Sequence, residues 1–228
     1  MKAMLLAAGR GERMRSYTDA LPKPLLPIGS KTLIEHNLER LKKAGITEVV
    51  INVSYLAKQI IEQLGDGERF GLSITYSYEP DKPLGTGGGI FQALQFLGEE
   101  SFLVLSSDIW TDYDFYRLFD KVSPDGHLIL VDNPVYNLKG DYALLESGCL
   151  SAVSSPKLTY ASFGVLHPRL FDGCQPGYYS MITLLEKAML NSAVTGEIYR
   201  GEWFNVGTPE ELKKLRDLEQ NRSALRHS

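Results

Sequence analysis

The residues that could do chemistry begin in a glycine-rich segment near the start of the chain. Gly9 and Gly11 follow the apolar run of residues 3–8, and a glycine turn lets backbone N–H groups approach an anion. Arg13 lies in the same segment, and its guanidinium fork suits phosphate oxygens. Lys23 stands between two prolines, which stiffen the backbone that carries its ammonium. These residue types predict a phosphate-binding loop with a catalytic lysine.

Two common phosphate-binding motifs do not describe this segment. A Rossmann fingerprint requires a third glycine where the chain has Met14, and it requires a helix directly after the loop. A Walker A loop ends in Gly-Lys-Ser or Gly-Lys-Thr, which residues 13–15 do not supply. The alternative for the glycine pair taken alone is a surface turn with solvated basic residues, because such short motifs also occur by chance.

A second glycine-rich segment, residues 83–90, reads PLGTGGGI. Apolar residues follow it at 91–97, and that stretch is predicted to be a helix. Positions without a side chain let a flat or charged ligand approach the main chain, and the N-terminus of a helix attracts negative charge. A nucleotide meets both conditions, and a flexible turn is the alternative.

Three aspartates follow the apolar strand pattern of residues 101–106. Asp108 would lie at the carboxyl end of a parallel strand, where open α/β sheets bind ligands, and its oxygens suit Mg²⁺. A turn cap is the alternative for Asp108. Asp112 and Asp114 match the Asp-x-Asp metal motif of nucleotide-sugar-dependent glycosyltransferases, but the helical pattern after them favours an N-cap.

The elements that must position these residues alternate between helices and strands. Apolar periodicity predicts helices at residues 32–44, 56–64, 91–97 and 182–190, and strands at residues 47–53, 72–78 and 101–106. Further strand-like runs lie at residues 127–131, 142–146, 150–153 and 158–166. A final helix begins at Thr208. The alternation predicts an α/β fold with a mainly parallel sheet covered by helices on both faces.

The composition narrows the class of partner and the compartment. The chain has 228 residues, 43% of them hydrophobic, which suffices for one large α/β domain or two small ones. The net charge of −4 argues against nucleic acid as a partner. The two cysteines form no C-x-x-C pair, no stretch approaches ~18 consecutive apolar residues, and the first strand begins directly after the start of the chain. We therefore expect a cytoplasmic protein without a signal peptide or a membrane span.

Two blocks at the start of the chain resemble the signature of sugar-1-phosphate nucleotidylyltransferases. Residues 6–14 read LAAGRGERM and residues 22–25 read PKPL, at the spacing of that family's two motifs. The resemblance implies a Rossmann-like α/β fold with a mainly parallel mixed sheet and helices on both faces, the nucleotide-diphospho-sugar transferase fold. It also implies one domain over residues 1–228, with a nucleotide-binding part at about 1–110, a sugar-binding part at about 111–207 and a C-terminal helix at 208–222.

The resemblance also implies roles for single residues. Arg13, Lys23 and Asp108 are the implied catalytic residues, with the arginine and the lysine on the phosphates. The implied nucleotide contacts are Leu6, Ala8, Gly9, Gly11, Glu12, Arg13, Lys23, Gly85 and Thr86. The implied Mg²⁺ ligands are Asp108 and Asn205, which stands in the block WFNVGTP. The implied sugar contacts are Asn133, Gly140, Asp141 and Glu197, and the alternative for the first three is an ordinary turn residue.

The chain departs from the family pattern at three places. Ser107 replaces the glycine before the metal-binding aspartate, which could crowd the site. Ser162 replaces a glycine in the segment 159–163, after Ala161, and this change affects the expected fit of the sugar. Asn205 offers a neutral oxygen at the second metal position, which predicts weaker affinity for Mg²⁺.

Three further segments resemble one group within the family, the N-acetylmuramate-1-phosphate uridylyltransferases of peptidoglycan recycling in the bacterial cell wall. These segments are residues 70–74 (FGLSI), 110–115 (WTDYDF) and 199–201 (YRG). The resemblance implies transfer of UMP from UTP to a sugar 1-phosphate, N-acetylmuramic acid 1-phosphate, by a monomer or a small homo-oligomer. The alternatives are a mannose-1-phosphate guanylyltransferase and a regulatory protein that binds a nucleotide without turnover, which Ser107 and Asn205 motivate.

Overall fold

A seven-stranded sheet forms the centre of the computed structural model, which describes residues 1–80, 84–121 and 123–226. The strands of this sheet and the short strands outside it are β1 (Ala3–Leu6), β2 (Pro27–Ile28), β3 (Lys31–Thr32), β4 (Glu48–Val53), β5 (Ser73–Tyr78), β6 (Phe102–Ser106), β7 (Ile109–Thr111), β8 (Gly126–Val131), β9 (Ala143–Leu144), β10 (Leu150–Ser151), β11 (Thr159–Leu166), β12 (Val194–Ile198) and β13 (Trp203–Asn205). The central order is β12-β8-β11-β6-β1-β4-β5.

The central sheet is mixed, and most of its neighbouring strands are parallel. β1 pairs in parallel with both β4 and β6, β4 pairs in parallel with β5, and β12 pairs in parallel with β8. β11 runs antiparallel to β6 and to β8. Three small ladders join β2 to β3, β7 to β13 and β9 to β10. The parallel strands direct their carboxyl ends to one edge, which is where ligands bind in open α/β sheets.

Five α-helices are described. They are α1 (Leu33–Lys43), α2 (Ala57–Leu64), α3 (Gly85–Leu97), α4 (Met181–Leu190) and α5 (Pro209–Arg226). Local chemistry explains where two of them begin. The backbone N–H of Thr32 donates to the Glu35 carboxylate at 2.7 Å before α1, and the N–H of Glu211 donates to the Thr208 hydroxyl at 3.3 Å at the start of α5.

The helices pack on both faces of the sheet. On one face, the core contains Ile34 and Leu38 of α1 with Ile60 of α2. On the other face, the core contains Ile90 of α3 and Leu185 of α4. Because β1, β4 and β6 are buried from both sides, they read as nearly continuous apolar runs in the sequence.

A third apolar cluster holds the C-terminal helix against the loops that follow β1. It contains Met14, Trp110, Val206 and Leu212, all at 1% exposure or less. The guanidinium carbon of Arg40 lies 4.5 Å from the centroid of the Trp110 ring. This cluster therefore fixes the glycine-rich segment and the segment after β13 relative to each other.

The sequence predicted the α/β class, the mainly parallel sheet and its helical cover, and all three are confirmed. The predicted start of α3 was wrong, and the C-terminal helix runs to Arg226, beyond its predicted end at residue 222. α3 begins at Gly85, whereas the glycine-rich segment was expected to stay outside a helix that starts at residue 91. The part of the chain that the structure describes includes no helix that is both long and apolar enough to cross a bilayer.

Candidate active site

A cleft of about 1220 Å³ opens at the carboxyl ends of β1, β4, β5 and β6. Residues 7–11 continue β1 into this cleft, Ser54 continues β4, Glu79 continues β5 and Asp108 follows β6. The second half of the chain also lines it, with Lys157 among its residues. The parallel strands thus bring distant parts of the sequence together at one edge of the sheet.

The cleft contains most of the residues to which the resemblance gave a role. All the predicted nucleotide contacts line it, namely Leu6, Ala8, Gly9, Gly11, Glu12, Arg13, Lys23, Gly85 and Thr86. Asp108, Gly140 and Asp141 line it as well. Asn133 and Glu197 are not brought to its walls, and Asn205 lines a second cavity of about 370 Å³.

The first glycine-rich segment forms a tight turn that leads into the short 3-10 helix Glu12–Tyr17. Gly11 has a φ of +66°, and a Cβ at this position would lie 3.2 Å from the Cβ of Lys23. Glycine is therefore required for both its conformation and its closeness to the lysine segment. The Arg13 guanidinium passes the backbone of Gly207, where a Cβ would lie 3.3 Å from one of its nitrogens. This arginine is exposed at the rim of the cleft.

Lys23 and Asp108 meet in the cleft although 85 positions separate them in the chain. The lysine Nζ donates to Asp108 Oδ2 at 2.5 Å, and Ser106 Oγ donates to the other carboxylate oxygen at 2.7 Å. Lys23 is buried. The Ser107 hydroxyl donates to the Leu6 carbonyl at 2.6 Å, so it is tied to the strand and does not compete for Asp108. The arrangement presents a fixed cation and a fixed anion side by side.

Asn205 lies beside Asp108 through the pairing of β13 with β7. The N–H of Val206 donates to the Asp108 carbonyl at 2.9 Å, and Asn205 is the register partner of Ile109. Among the described residues, nothing donates to the buried Oδ1 of Asn205. Burial raises the pKa of the nearby Tyr136 hydroxyl to about 12, the charge of Glu211 adds to this rise, and a hydrogen bond from Asn205 opposes it. Asn205 thus carries an acceptor oxygen without a donor among the described residues, on a strand whose backbone is hydrogen-bonded to that of Asp108.

The second glycine-rich segment serves close packing more than anion binding. The N–H groups of Gly87 and Gly88 donate to the Tyr179 carbonyl at 3.0 and 3.4 Å, so these helix N-terminal donors are used within the protein. A Cβ on Gly88 would lie 2.3 Å from the carbonyl oxygen of Gly177. The backbone N–H groups at these two positions are therefore engaged by the protein itself. Gly85, with a φ of +67°, remains on the cleft wall.

Glu79 was missed by the sequence analysis, and it lines the cleft next to the second glycine-rich segment. Its Oε1 accepts from Asn52 Nδ2 at 2.5 Å, and Asn52 Oδ1 accepts from the N–H of Ala7 at 2.8 Å. A Cβ on Gly89 would lie 2.1 Å from Glu79 Oε1, so the carboxyl packs directly on α3. Burial raises the pKa of Glu79, and the hydrogen bond from Asn52 opposes that rise.

The predicted sugar contacts Gly140 and Asp141 lie in a turn that is fixed from several sides. Gly140 has a φ of +65°, and a Cβ there would lie 2.7 Å from the carbonyl group of Lys157. The two oxygens of Asp141 accept from Asn137 Nδ2 at 3.1 Å and from the N–H of Tyr160 at 2.8 Å. Both residues therefore shape the cleft wall, and the hydrogen bonds of the Asp141 carboxylate are partly used by the protein itself.

Ser162 occupies a position that suits glycine. Its φ is +62°, and it lies in the irregular stretch of β11 between Tyr160 and Gly164. Ser162 lines the cleft, whereas the neighbouring Ala161 is buried and its carbonyl accepts from the indole N–H of Trp203 at 3.0 Å. The serine thus keeps the left-handed backbone that a glycine would adopt without strain.

The structure places Glu197 in a separate polar cluster. Its carboxylate accepts from Lys121 at 2.7 Å, from the Tyr113 hydroxyl at 2.8 Å and from Arg117 at 3.0 Å. Burial alone would raise the pKa of Glu197, but the hydrogen bonds from Lys121 and Tyr113 lower it overall. These contacts account for a carboxylate in this position without a sugar.

Asn133 and the Asp-x-Asp pair also have structural partners. The Asn133 amide donates to the carbonyl of Lys157 at 3.0 Å, which holds the turn that carries Gly140. Asp114 caps a 3-10 helix by accepting from the N–H of Tyr116 at 3.2 Å, as the N-cap interpretation predicted. Asp112 accepts from the hydroxyl of Tyr199 and from the N–H of Glu202.

The sequence analysis missed three residues that line the cleft and also Tyr136, which lines the second cavity. Ser106 lies inside a strand pattern, Glu79 follows one, Lys157 lies in a polar turn, and Tyr136 lies in an exposed loop. A signal existed for Glu79, because a carboxylate directly after a predicted parallel strand repeats the argument that identified Asp108. Lys157 can be identified as a cleft residue only from the fold, which packs the turn at Gly140 against it.

Comparisons with known proteins identify the family of this chain. The family model described as nucleotidyl transferase matches residues 2–142. An N-acetylmuramate alpha-1-phosphate uridylyltransferase of Neisseria meningitidis serogroup B is 45% identical, over 96% of this chain and 98% of the relative. A protein of the same name from Caulobacter vibrioides is 32% identical, over 91% of this chain and 92% of the relative. A mannose-1-phosphate guanyltransferase of Schizosaccharomyces pombe is 32% identical over 92% of this chain, which spans 62% of that relative.

Solved structures share the fold at low sequence identity. A UDP-glucose pyrophosphorylase in complex with UDP-glucose superposes with a TM-score of 0.78 and 18% identity, over 97% of this chain and 98% of the other. The protein HddC from Yersinia pseudotuberculosis, in complex with GMP-PN, also gives a TM-score of 0.78, with 20% identity over 95% of this chain and 98% of the other. With the match to the family model and the near full-length relatives, the chain belongs to the nucleotidyl transferase family and is a sugar-1-phosphate nucleotidylyltransferase.

Proposed function

We propose that this protein transfers UMP from UTP to N-acetylmuramic acid 1-phosphate and releases pyrophosphate. The observation that carries the proposal is the contact of Lys23 with Asp108, 2.5 Å apart, beside a glycine turn in the cleft. Support for the two substrates comes from the Neisseria meningitidis relative, whose name states this activity and which aligns over almost the whole of both chains. In a bacterial cell, the activity would belong to cytoplasmic recycling of peptidoglycan.

In the proposed reaction, a phosphate oxygen of the sugar 1-phosphate attacks the α-phosphorus of UTP. A new P–O bond forms, the bond to the bridging oxygen breaks, and its electron pair leaves with pyrophosphate. No nucleophile from the protein is needed, so the residues act by positioning the reactants and neutralising charge. Lys23 offsets charge that develops near the α-phosphate, and Arg13 at the cleft rim holds the departing phosphates.

Asp108 and Asn205 fit a resident Mg²⁺. The Asp108 carboxylate accepts one hydrogen bond on each oxygen, which leaves about two of its roughly four lone pairs. The buried Oδ1 of Asn205 has no donor among the described residues. When bound, Mg²⁺ neutralises and orients phosphate oxygens. Within the described ranges, no three His, Cys, Asp or Glu side chains form a metal cluster.

Glu79 and the second glycine-rich segment suit the base. Uracil carries one imide N–H between two carbonyl groups, and an ionised carboxylate is an acceptor for such a donor. Glu79 is held by Asn52 at 2.5 Å and faces the bare backbone of Gly89, so its carboxyl is fixed before a base arrives. Gly85 and Thr86 complete this part of the cleft.

The test is pyrophosphate release with a matrix of nucleotides and sugars in the presence of Mg²⁺. UTP and GTP are each combined with N-acetylmuramic acid 1-phosphate, N-acetylglucosamine 1-phosphate and mannose 1-phosphate. We expect the highest kcat/KM for UTP with N-acetylmuramic acid 1-phosphate. A preference for GTP with mannose 1-phosphate would identify a guanylyltransferase instead. Binding of UTP without turnover of any sugar would indicate a regulatory protein.

A further inference from the structure

We infer that Lys157 pairs with a carboxylate on the sugar and thereby selects an acidic sugar 1-phosphate over a neutral one. The inference rests on the proposed function, because N-acetylmuramic acid differs from N-acetylglucosamine by a lactyl ether that carries one carboxylate. Lys157 lines the cleft, and no role in the reaction has been given to it so far. It therefore acts as a determinant of specificity.

The ammonium group of Lys157 has no ionic partner in the part of the chain that the structure describes. Among the described residues, no carboxylate lies within ion-pair distance of its ammonium, in contrast to Lys23, which pairs with Asp108 at 2.5 Å. Asp141, which lines the same part of the cleft, directs its two oxygens to Asn137 and to the N–H of Tyr160. A cation that lines a substrate cleft without a partner favours an anionic ligand.

The backbone that carries Lys157 is held in place before any ligand binds. Its carbonyl accepts from the Asn133 amide at 3.0 Å, and Gly140 packs so closely that a Cβ would lie 2.7 Å from that carbonyl. The next residue, Leu158, exchanges backbone hydrogen bonds with Tyr142 at 2.8 and 3.1 Å. A fixed backbone lowers the entropic cost of holding a ligand through the side chain.

The position of Lys157 separates it from the reacting phosphates. The other cations of the cleft, Arg10, Arg13 and Lys23, all belong to the N-terminal segment. Phe163 on β11 pairs with Leu105 on β6, so the chain near Ser162 lies beside the strand that leads to Asp108. Since β11 runs antiparallel to β6, the chain from Ser162 back to Lys157 continues past the carboxyl end of β6, over at most on the order of 15 Å at about 3.3 Å per residue. Lys157 therefore suits an anion at the far end of the sugar.

The surroundings of Lys157 strengthen such a pair. Tyr142, Tyr160 and Met181 line the same part of the cleft, and all three bring apolar surface. Burial raises the pKa of the Tyr160 hydroxyl, so this side chain stays neutral in the cleft. A lower effective dielectric constant increases the attraction between a carboxylate and an ammonium.

The test compares two substrates that differ in the lactyl group alone. Pyrophosphate release is measured with UTP and either N-acetylmuramic acid 1-phosphate or N-acetylglucosamine 1-phosphate, for wild type, Lys157→Met and Lys157→Arg. For Lys157→Met, we expect kcat/KM to fall by about 10- to 100-fold with the acidic sugar, as for the loss of one charged hydrogen bond. With the neutral sugar, we expect a change of less than about twofold. Lys157→Arg should restore most of the preference, because it keeps the charge.

A matched control is Lys139→Met, which removes an exposed lysine beside Gly140 that does not line the cleft. It should change neither value. An equal loss with both sugars in Lys157→Met would overturn the inference, because the lysine would then act on the shared phosphate or on the fold. Unchanged preference for the acidic sugar would overturn it too, while leaving the proposed function intact. A wild-type protein that turns over neither sugar would refute the proposed function itself.

Discussion

Replacement of Lys23 by alanine should lower the rate of pyrophosphate release by about 10²- to 10³-fold. The lysine side chain is 10% exposed, and its ammonium lies 2.5 Å from an Asp108 side chain that is 24% exposed. Because this ammonium is largely shielded from water, little solvent has to reorganise around it when negative charge develops on the phosphates. One preorganised contact of this kind is worth about 2.7–4 kcal/mol in the transition state, which sets the expected loss.

The same substitution should leave the fold intact. Asp108 keeps the hydrogen bond from Ser106 at 2.7 Å and is partly exposed, so the unpaired carboxylate costs less than in a fully buried pair. Alanine also keeps the Cβ on which the turn at Gly11 packs. We expect a loss of about 1–2 kcal/mol in the free energy of unfolding, below the ~3–5 kcal/mol of a fully buried broken pair.

The assay is the initial rate at saturating UTP and sugar 1-phosphate, with urea unfolding measured on the same preparations. Lys31→Ala is the control, because Lys31 pairs with Glu39 at a similar 2.6 Å on the surface, where the two side chains are 42% and 45% exposed. It should change the rate by less than about twofold, as for an exposed ion pair. A folded Lys23→Ala protein with the control's rate would refute the catalytic role of Lys23.

Three further predictions concern separate parts of the cleft. Asn205→Asp should lower the Mg²⁺ concentration for half-maximal pyrophosphate release, and Asn205→Ala should raise it; identical titrations would make Asn205 a structural residue. Gly9→Ala should keep the urea midpoint of wild type but raise KM for UTP, because a Cβ at this position has no protein atom within 4 Å. Gly88→Ala should lose about 1–3 kcal/mol in the free energy of unfolding, because its Cβ would collide with the carbonyl of Gly177. Equal urea midpoints for the two variants would contradict this pair of predictions. Burial raises the pKa of Glu79 above 4.5, so the stability that the protonated carboxyl contributes is lost as the pH rises through the raised pKa. The free energy of unfolding of Glu79→Gln should therefore increase relative to that of wild type from pH 4 to 7. A difference between the two proteins that does not change with pH would argue against a raised pKa.

The contact between Lys23 and Asp108 could be predicted from the sequence in part. Each residue was identified by its local pattern, and β1 and β6 were both expected as parallel strands. Parallel strands place their carboxyl ends at one edge, so two segments 85 positions apart were expected at the same ligand site. Their direct contact, however, depends on β1 and β6 being neighbours in the sheet, and strand order is not encoded in either segment alone.

In the second glycine-rich segment, tertiary packing outweighs the low helix propensity of glycine. Glycine disfavours a helix by about 1 kcal/mol per residue, which is why residues 85–89 were expected to form a loop. In the structure these residues form the first turns of α3. Glycine is needed there because a side chain would collide with the carbonyls of Gly177 and Tyr179. That partner segment lies about 90 positions later in the chain, so no window around the glycines contains the reason for them.

Glu197 was predicted from the resemblance to contact the sugar, and such a prediction does not include the register of the strand that carries the residue. Side chains on a strand alternate between the two faces of the sheet, so the face on which a residue lies depends on register. β12 pairs with β8 in a register that directs Glu197 towards Tyr113 and Lys121. Lys157, by contrast, lies in a turn that no motif describes, and the fold brings it into the cleft.

The three departures from the family pattern differ in what they change. The hydroxyl of Ser107 donates a hydrogen bond to the Leu6 carbonyl, so it does not interact with Asp108. Ser162 keeps the left-handed backbone at φ +62°, so it preserves the path of β11 at a cost of about 1 kcal/mol and adds a hydroxyl to the cleft. Asn205 keeps a buried oxygen without a donor among the described residues, so under the proposed function it would offer a neutral ligand to the cation. Under the proposed function, Asn205 would therefore weaken the affinity for Mg²⁺ and leave Asp108 as the charged ligand, which the titration of Asn205→Asp against wild type tests directly.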